Sequence, residues 1–164
     1  MSNGIFPDEA LISIGAAGAV SSDCTNMTGF ISNYTESGGE KDTEAIPVFG
    51  GGNIDKETPR SQIEVSLDVQ MIYGTDSVAF DTYKYGSGLT SATEGVVQVI
   101  YVQWTDGTYY YTRAYNNAKG VTFSPTSSAD GNLTGTMTFK LSPTDQNGTA
   151  NLQIDDAAAS TISW

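Results

Sequence analysis

The stretch "QIEVSLDVQMIYG", residues 62–74, alternates strictly between apolar and polar side chains. Ile63, Val65, Leu67, Val69 and Met71 fall on one side, and Glu64, Ser66, Asp68 and Gln70 on the other. Successive side chains leave opposite faces of a pleated strand, so a period of two marks a strand with one face buried and one in water. Such a strand needs partners on both edges and a second layer over its apolar face. The rest of the chain therefore has to supply a sheet.

It does so on both sides of this strand. "GVVQVIYVQW" (95–104) is apolar on both faces, which predicts a strand covered on both sides. Asp106-Gly107 follows, a pair suited to the positive φ angles of a tight hairpin turn, so Val96–Trp104 and Thr108–Tyr115 are predicted to pair antiparallel. "LTGTMTFKLSP" (133–143) alternates again, with Met137, Phe139 and Leu141 inward and Thr136, Thr138 and Lys140 outward. "TANLQID" (149–155), "ALISIG" (10–15) and "MTGFISNY" (27–34) are shorter strand candidates.

One short helix is expected within "TDSVAFDTYKYGSG" (75–88). Thr75 or Asp76 would cap it, Val78, Ala79 and Tyr83 would form its apolar stripe, and Gly86 would end it. The predicted fold is all-β: a sandwich or partial barrel of antiparallel strands, with one flanking helix and a long extended loop. Its 164 residues suit a single domain.

The long loop is Thr35–Ser61, "TESGGEKDTEAIPVFGGGNIDKETPRS", which shows neither helical nor strand periodicity. Loops beyond about 12–15 residues are uncommon in compact domains unless they carry function or are disordered. Residues 1–22 read as an N-terminal arm and 156–164 as a C-terminal tail.

Composition narrows the chemistry. There is no histidine, which removes the commonest general base and zinc ligand, and a single cysteine, Cys24, which precludes an intrachain disulfide. A formal net charge of −12, with seven scattered basic residues, opposes binding of nucleic acid or anionic lipid through charge. "MSNGIFPDEALISIGAAGAV" has no basic residue ahead of its apolar ones, so no secretory signal is expected, and no apolar run approaches the ~20 residues of a membrane span. Synthesis in a reducing cytosol is the expectation. The four Asn-x-Ser/Thr sequons, at Asn26, Asn33, Asn132 and Asn147, read as chance.

No motif for chemistry emerges. The glycines at 50–52 and 86–88 lack the Lys-Ser/Thr ending of a phosphate loop and read as turns. Asp145–Gly148 and Asp155-Asp156 lack the spacing of a calcium loop and read as solvated acids. Plentiful Asp and Glu leave a catalytic carboxylate pair open. Glu64 and Asp68, however, would stand about 13 Å apart along a strand, too far for the usual glycosidase pair. Tyr109, Tyr110, Tyr111 and Tyr115 permit two readings: a sugar-stacking sheet face, or core and subunit contact. No metal, cofactor or catalytic residue is predicted.

The order of elements, with "RSQIEVSLDVQMIYG", "DSVAFDTYKYG", "VVQVIYVQWTDGTYYYTRAYNN" and "GVTFSPTSSADGNLTGTMTFKLSP" in succession, resembles the major tail protein, or tail tube protein, of long, flexible-tailed bacteriophages. The resemblance runs from about Met27 to Asp155 and lies in element order and segment character. It implies a non-enzymatic β-sandwich assembling into hexameric rings, whose inner sheets join into one barrel, with rings stacked into a tube through which DNA passes unbound. The implied location is the virion tail. Implied partners are further copies of the chain and tail-tip, tape-measure and terminator proteins, with no membrane.

In that family a long loop reaches the adjacent ring. The resemblance therefore assigns inter-ring contact to Glu40, Lys41, Asp42, Glu44, Ile46, Val48, Phe49, Lys56, Glu57 and Arg60. As a hairpin, the loop would extend on the order of 40 Å. A DNA conduit should be neutral or negative, which points to Glu64, Ser66, Asp68 and Gln70 as the lumen face. Many relatives carry a further immunoglobulin-like domain for which this chain is too short, and tail terminators, head–tail joining proteins and needle-type tube proteins are close in fold. A carbohydrate-binding sandwich on a virion surface is the reading from another class.

Overall fold

The computed structural model describes residues 11–71, 74–85, 97–105, 109–127, 129, 131 and 133–157. Ten strands and one helix are described: β1 (Leu11–Ala16), β2 (Thr25–Asn26), β3 (Ile31–Gly38), β4 (Thr43–Pro47), β5 (Asn53–Glu57), β6 (Ile63–Met71), α1 (Gly74–Tyr85), β7 (Val97–Thr105), β8 (Tyr110–Ser127), β9 (Leu133–Leu141) and β10 (Leu152–Ala157). Eight strands form one antiparallel sheet in the order β2-β1-β7-β8-β9-β6-β3, with β10 beside β8, and β4 and β5 form a separate pair.

The expected alternation of β6 is realised. Ile63, Val65, Leu67 and Val69 are buried, whereas Glu64, Ser66 and Asp68 are half-exposed and Gln70 is exposed. On β9, Met137, Phe139 and Leu141 point inward as expected. Thr138 is outward by register but buried, because it lies between Ser66 of β6 and Thr122 of β8. β7 is covered on both faces. Ile100 and Val102 enter the main core, while Val99 and Tyr101 pack beneath Ala19 and Cys24, and the Tyr101 hydroxyl donates to the Ala19 carbonyl at 3.1 Å. Of the segment 1–22, Leu11–Ala16 is β1, paired along its length with β7, and residues 1–10 lie outside the described residues.

The strand expected to end at Tyr115 runs on to Ser127 and joins the two layers. Its first half, to Lys119, pairs with β7, and its second half, from Lys119, pairs with β9. β10 lines the edge of the first half opposite β7. The strand changes layers around Asn117, which takes a left-handed φ of 56°, a conformation Asn tolerates better than most residues. Gly120 follows. A Cβ there would stand 2.4 Å from the Tyr83 carbonyl oxygen, so only glycine lets α1 approach this strand.

Helix α1 begins at Gly74, so Thr75 and Asp76 lie within its first turn and not ahead of it. Its Phe80 is fully buried and stacks on Phe123 with ring centroids 5.8 Å apart. The predicted turn at Asp106-Gly107 and the helix-ending Gly86 lie outside the described residues, as do the side chains of Met71, Thr75, Asp76, Val78 and Ala79.

The sheet folds over itself without closing into a barrel, bringing β3 across from β7 and the start of β8. Tyr34 meets Trp104 edge-on at 5.6 Å between ring centroids. Beside it, Arg113 donates to Glu36 from Nε (3.0 Å) and twice from Nη2 (2.8 Å each). The Tyr115 hydroxyl also donates to Glu36, at 2.6 Å, and is hydrogen-bonded to the Tyr34 hydroxyl, while Arg113 Nη1 donates to the Tyr111 hydroxyl at 2.7 Å. Burial works against the Arg113 charge, but the hydrogen bonds to Glu36, Tyr115 and Tyr111 outweigh it and hold the guanidinium protonated.

The Glu36–Arg113 pair retains 25% and 18% side-chain exposure, so it is partly screened. Removing one partner of a buried pair costs more than the pair contributes, because a charge is left uncompensated. Glu36→Gln is expected to destabilise the fold by about 2–4 kcal/mol, shifted below the roughly 3–5 kcal/mol of a fully buried pair by that residual exposure. Glu36→Leu combined with Arg113→Leu should recover most of the loss. Urea midpoints of the three proteins test this, and a double variant no more stable than the single one would refute it.

Burial also pushes the Tyr34 and Tyr83 hydroxyls from their ordinary 10 to about 12, and raises Tyr115. The folded state thus holds these protons more tightly than the unfolded state. Their contribution to stability should be intact below pH 10 and disappear as pH rises towards 12. Alkaline titration followed by phenolate absorbance should show these tyrosines ionising together with unfolding.

Candidate assembly interface

Strands β3 and β6 pair from Ile31↔Val69 to Gly38↔Ile63, and their ladder continues beyond the core. Gly39 N–H donates to the Gln62 carbonyl (3.2 Å), Ser61 N–H to that of Glu40 (3.0 Å) and Thr58 N–H to that of Asp42 (2.9 Å). Pairing then runs from Thr43↔Glu57 to Pro47↔Asn53. The stretch Thr35–Ser61, expected to lack regular structure, is therefore the end of β3 followed by a two-stranded ribbon. It shows no alternation because both faces of the ribbon are in solvent, where burial imposes no period. All ten residues of β4 and β5 are exposed. Eleven steps from Gly38 to Phe49, at about 3.2–3.4 Å each, bound the reach at roughly 35 Å.

Along the ribbon, charged and apolar residues are segregated. Near its base Lys41 pairs with Glu57, whose carboxyl is held below its ordinary value by that hydrogen bond and charge. Arg60 Nη1 donates to the Gly39 carbonyl at 3.0 Å, and Glu44 stands directly opposite Lys56. Glu40 and Asp42 belong to the same base, each through its backbone N–H, which donates to the side-chain hydroxyls of Ser61 and Thr58.

The outer end is different. From Ile46 to Ile54 the sequence "IPVFGGGNI" has no charge, and Ile46 faces Ile54 across the ladder. The tip is closed by Val48 N–H donating to the Gly52 carbonyl at 2.9 Å, with Gly50 and Gly51 at φ 109° and 89°. Ile46, Val48 and Ile54 are 40%, 39% and 60% exposed, and Phe49 is exposed completely. Among the described residues nothing covers this apolar cluster.

The second surface is the outer face of β8, β9, β6 and β3. Glu64, Ser66, Asp68 and Gln70 stand opposite Lys140, Thr138, Thr136 and Thr134 of β9. Ser37, Thr35 and Asn33 flank them on β3, and Thr122, Ser124 and Thr126 on β8. Asp68 accepts from Thr136 Oγ1 (2.9 Å) and Asn33 Nδ2 (3.2 Å), and Glu64 lies 3.8 Å from Lys140 Nζ. The face is a field of hydroxyls in which both acids are partnered.

Other candidate groups resolve into structure. Tyr111 and Tyr115 point into the Glu36–Arg113 network, Tyr110 is half-buried and Tyr109 is largely exposed. Asp145 accepts the N–H groups of Asn147 (2.8 Å) and Thr149 (2.9 Å) in its own turn. The half-buried Cys24 thiol is pushed up by burial and by Asp23. Among the described residues no cluster of acids and cysteine is placed to hold a metal ion. Sequence reasoning missed Glu36 and Arg113. The available signal was a charge at an inward position of an alternating strand, Tyr34-x-Glu36 and Tyr111-x-Arg113-x-Tyr115.

No protein-family model and no curated protein sequence matches this chain. Its fold matches solved structures along nearly its whole length. One is the sheath/tube terminator of an extracellular contractile injection system, PVC, in the extended state: TM-score 0.60, 12% identity, covering 94% of this chain and 99% of that one. Another is the tube-terminating cap of the anti-feeding prophage: TM-score 0.60, 12% identity, 96% and 94% covered. A third is the sheath–tube complex of PVC in the extended state: TM-score 0.58, 12% identity, 97% and 95% covered. At this identity the likeness is one of fold. These neighbours come from contractile injection systems, whereas the expectation from the sequence is a tube protein of flexible tails.

Since Phe49 touches nothing that a Cβ-truncated residue would uncover, Phe49→Ser is expected to change stability by no more than about 0.5 kcal/mol. A larger shift in the urea midpoint would mean that the tip packs on its own sandwich.

Proposed function

We propose that this chain is a structural, non-catalytic subunit of a tail tube, assembling as stacked rings around a conduit for DNA. The observation that carries this reading is the ribbon: a hydrogen-bonded two-stranded hairpin that leaves the core sheet at Gly38 and Gly39 (φ 80° and 75°) and ends in an exposed apolar tip. It serves as the inter-ring contact, through Ile46, Val48 and Phe49 as expected and also through Ile54. Burying these side chains against a neighbour contributes about 1.5–3 kcal/mol each. Repeated around a ring, that is enough to decide whether rings stack. The charged base (Glu40, Lys41, Asp42, Glu44, Lys56, Glu57 and Arg60) stiffens the ribbon and keeps it soluble before assembly.

The hydroxyl-rich face carrying Glu64, Ser66, Asp68 and Gln70 is the lumen wall in this reading. A strand of DNA phosphates would find there few fixed cations and many neutral dipoles, so it would slide without being held. Tail-tip and tape-measure proteins at one end and a terminator at the other are the partners this role requires. The terminator and cap structures among the fold neighbours support a second reading, in which this chain is itself the ring that ends a tube. A tube subunit forms polymers of indefinite length, whereas a terminator forms single rings that bind tube ends.

Negative-stain microscopy of the purified chain, alone and with tail-tip seeds, is expected to show stacked rings. Replacing residues 41–60 by Asn-Gly, a pair suited to closing the Glu40–Ser61 hairpin, should leave the circular dichroism of the sandwich intact and abolish stacking. Tubes of normal stability from this variant would remove the ribbon from the interface. Changing Glu64 and Asp68 together to lysine should leave tubes intact and slow DNA ejection, most at low salt where screening is weakest. Ejection at the normal rate through such tubes would place the lumen on another face.

A further inference from the structure

Between the edge of β3, unpaired among the described residues, and the strands β1 and β7, the seam of the folded sheet forms a groove of about 320 Å³. Ile12 and Val102 form its floor, and Ile31, Tyr34 and Trp104 its walls, with Ser32 on its rim. We infer that this groove is the receptor for the ribbon tip of a second copy of the chain, with Phe49 as the inserted side chain. The inference rests on the stacking reading above and names the site that the tip enters.

Three observations carry it. The first is charge. In a chain of net charge −12, copies repel one another, yet the nine residues Ile46–Ile54 and all the residues lining the groove are uncharged. Tip and groove are thus a pair of surfaces that meet without opposing like charges. The second is shape and chemistry. Phe49 is the most exposed large apolar side chain among the described residues, and the groove offers an aromatic pair, Tyr34 and Trp104, already packed edge-on with room beside it. A third ring suits such a site, because aromatic side chains favour edge-to-face neighbours.

The third is placement. The groove lies at the start of β3 and the tip lies beyond its end, so the two are at opposite ends of one hairpin. A copy displaced along that hairpin brings its tip to its neighbour's groove. Fifteen residues separate Tyr34 from Phe49, which bounds the axial repeat at about 50 Å. Because tip and groove are different surfaces, one contact leaves the groove of the inserting copy and the tip of the receiving copy free. The association therefore propagates along the axis and does not stop at a dimer.

The test places a photo-reactive benzophenone amino acid at position 49 of the full-length chain. Isotopically labelled and unlabelled copies are mixed so that cross-links between copies are identified by mass. In assembled tubes the cross-links are expected at residues 28–34 and 102–104 of the neighbouring copy. Separately, Ser32→Arg places a charge on the exposed rim, and is expected to raise the concentration needed for stacking at least tenfold with unchanged circular dichroism. Tubes whose cross-links fall elsewhere, or an unchanged threshold for Ser32→Arg, would overturn the groove as receptor while leaving stacking through the ribbon intact. A chain that forms no stacked rings even with tail-tip seeds would overturn both.

Discussion

The contact between Glu36 and Arg113 governs this architecture. An open eight-stranded sheet has no intrinsic reason to bring its last strand over its middle, and apolar packing alone would tolerate several offsets between the layers. A bidentate carboxylate–guanidinium pair tolerates few, because both nitrogen–oxygen distances and the plane of the fork must be met at once. Tyr115, fully buried, donates to the same Glu36 Oε1 that Arg113 engages and is itself hydrogen-bonded to the Tyr34 hydroxyl. Glu36 lies two residues before β3 ends at Gly38, so the strand that launches the ribbon is pinned to the opposite layer just before it leaves the core. Ribbon direction is thereby coupled to core geometry.

The long strand β8 makes this coupling feasible. It supplies Arg113 and Tyr115 to one layer, turns at Asn117, and continues as the neighbour of β9 in the other. A single strand shared by two layers transmits their relative position through covalent geometry, which is stiffer than side-chain packing. The close approach of α1 at Gly120 holds the turn from the core side, where Phe80 and Tyr83 pack on Phe123 and Phe139. The outer face of β8, β9, β6 and β3 is then free of structural duty. Its hydroxyls and partnered acids reflect solvent, or whatever passes over them, and not the needs of the core.

Much of the fold was legible because burial on one side writes a period of two into a strand. β6 and β9 showed that period, and β7 showed the continuous apolar run of a strand covered twice. The ribbon was not legible as strand, since with both faces wet only backbone pairing defines it, and backbone pairing leaves little mark on side-chain choice. The Glu36–Arg113 pair escaped for a related reason. A charged residue at an inward position looks like noise in an alternating pattern until its partner, 77 residues away, is seen beside it.

By itself, then, the sequence determined an all-β class, the inward and outward faces of the regular strands, the site of a short helix and the position of one long excursion. These are local consequences of how each side chain partitions between water and core. Tertiary structure decided what locality cannot encode: that β8 spans both layers, that the excursion continues the core ladder, and that its tip and the seam groove stand at opposite ends of one hairpin. Those facts depend on which strands pair and how the sheet folds over, and such choices are made by contacts between residues far apart in the chain.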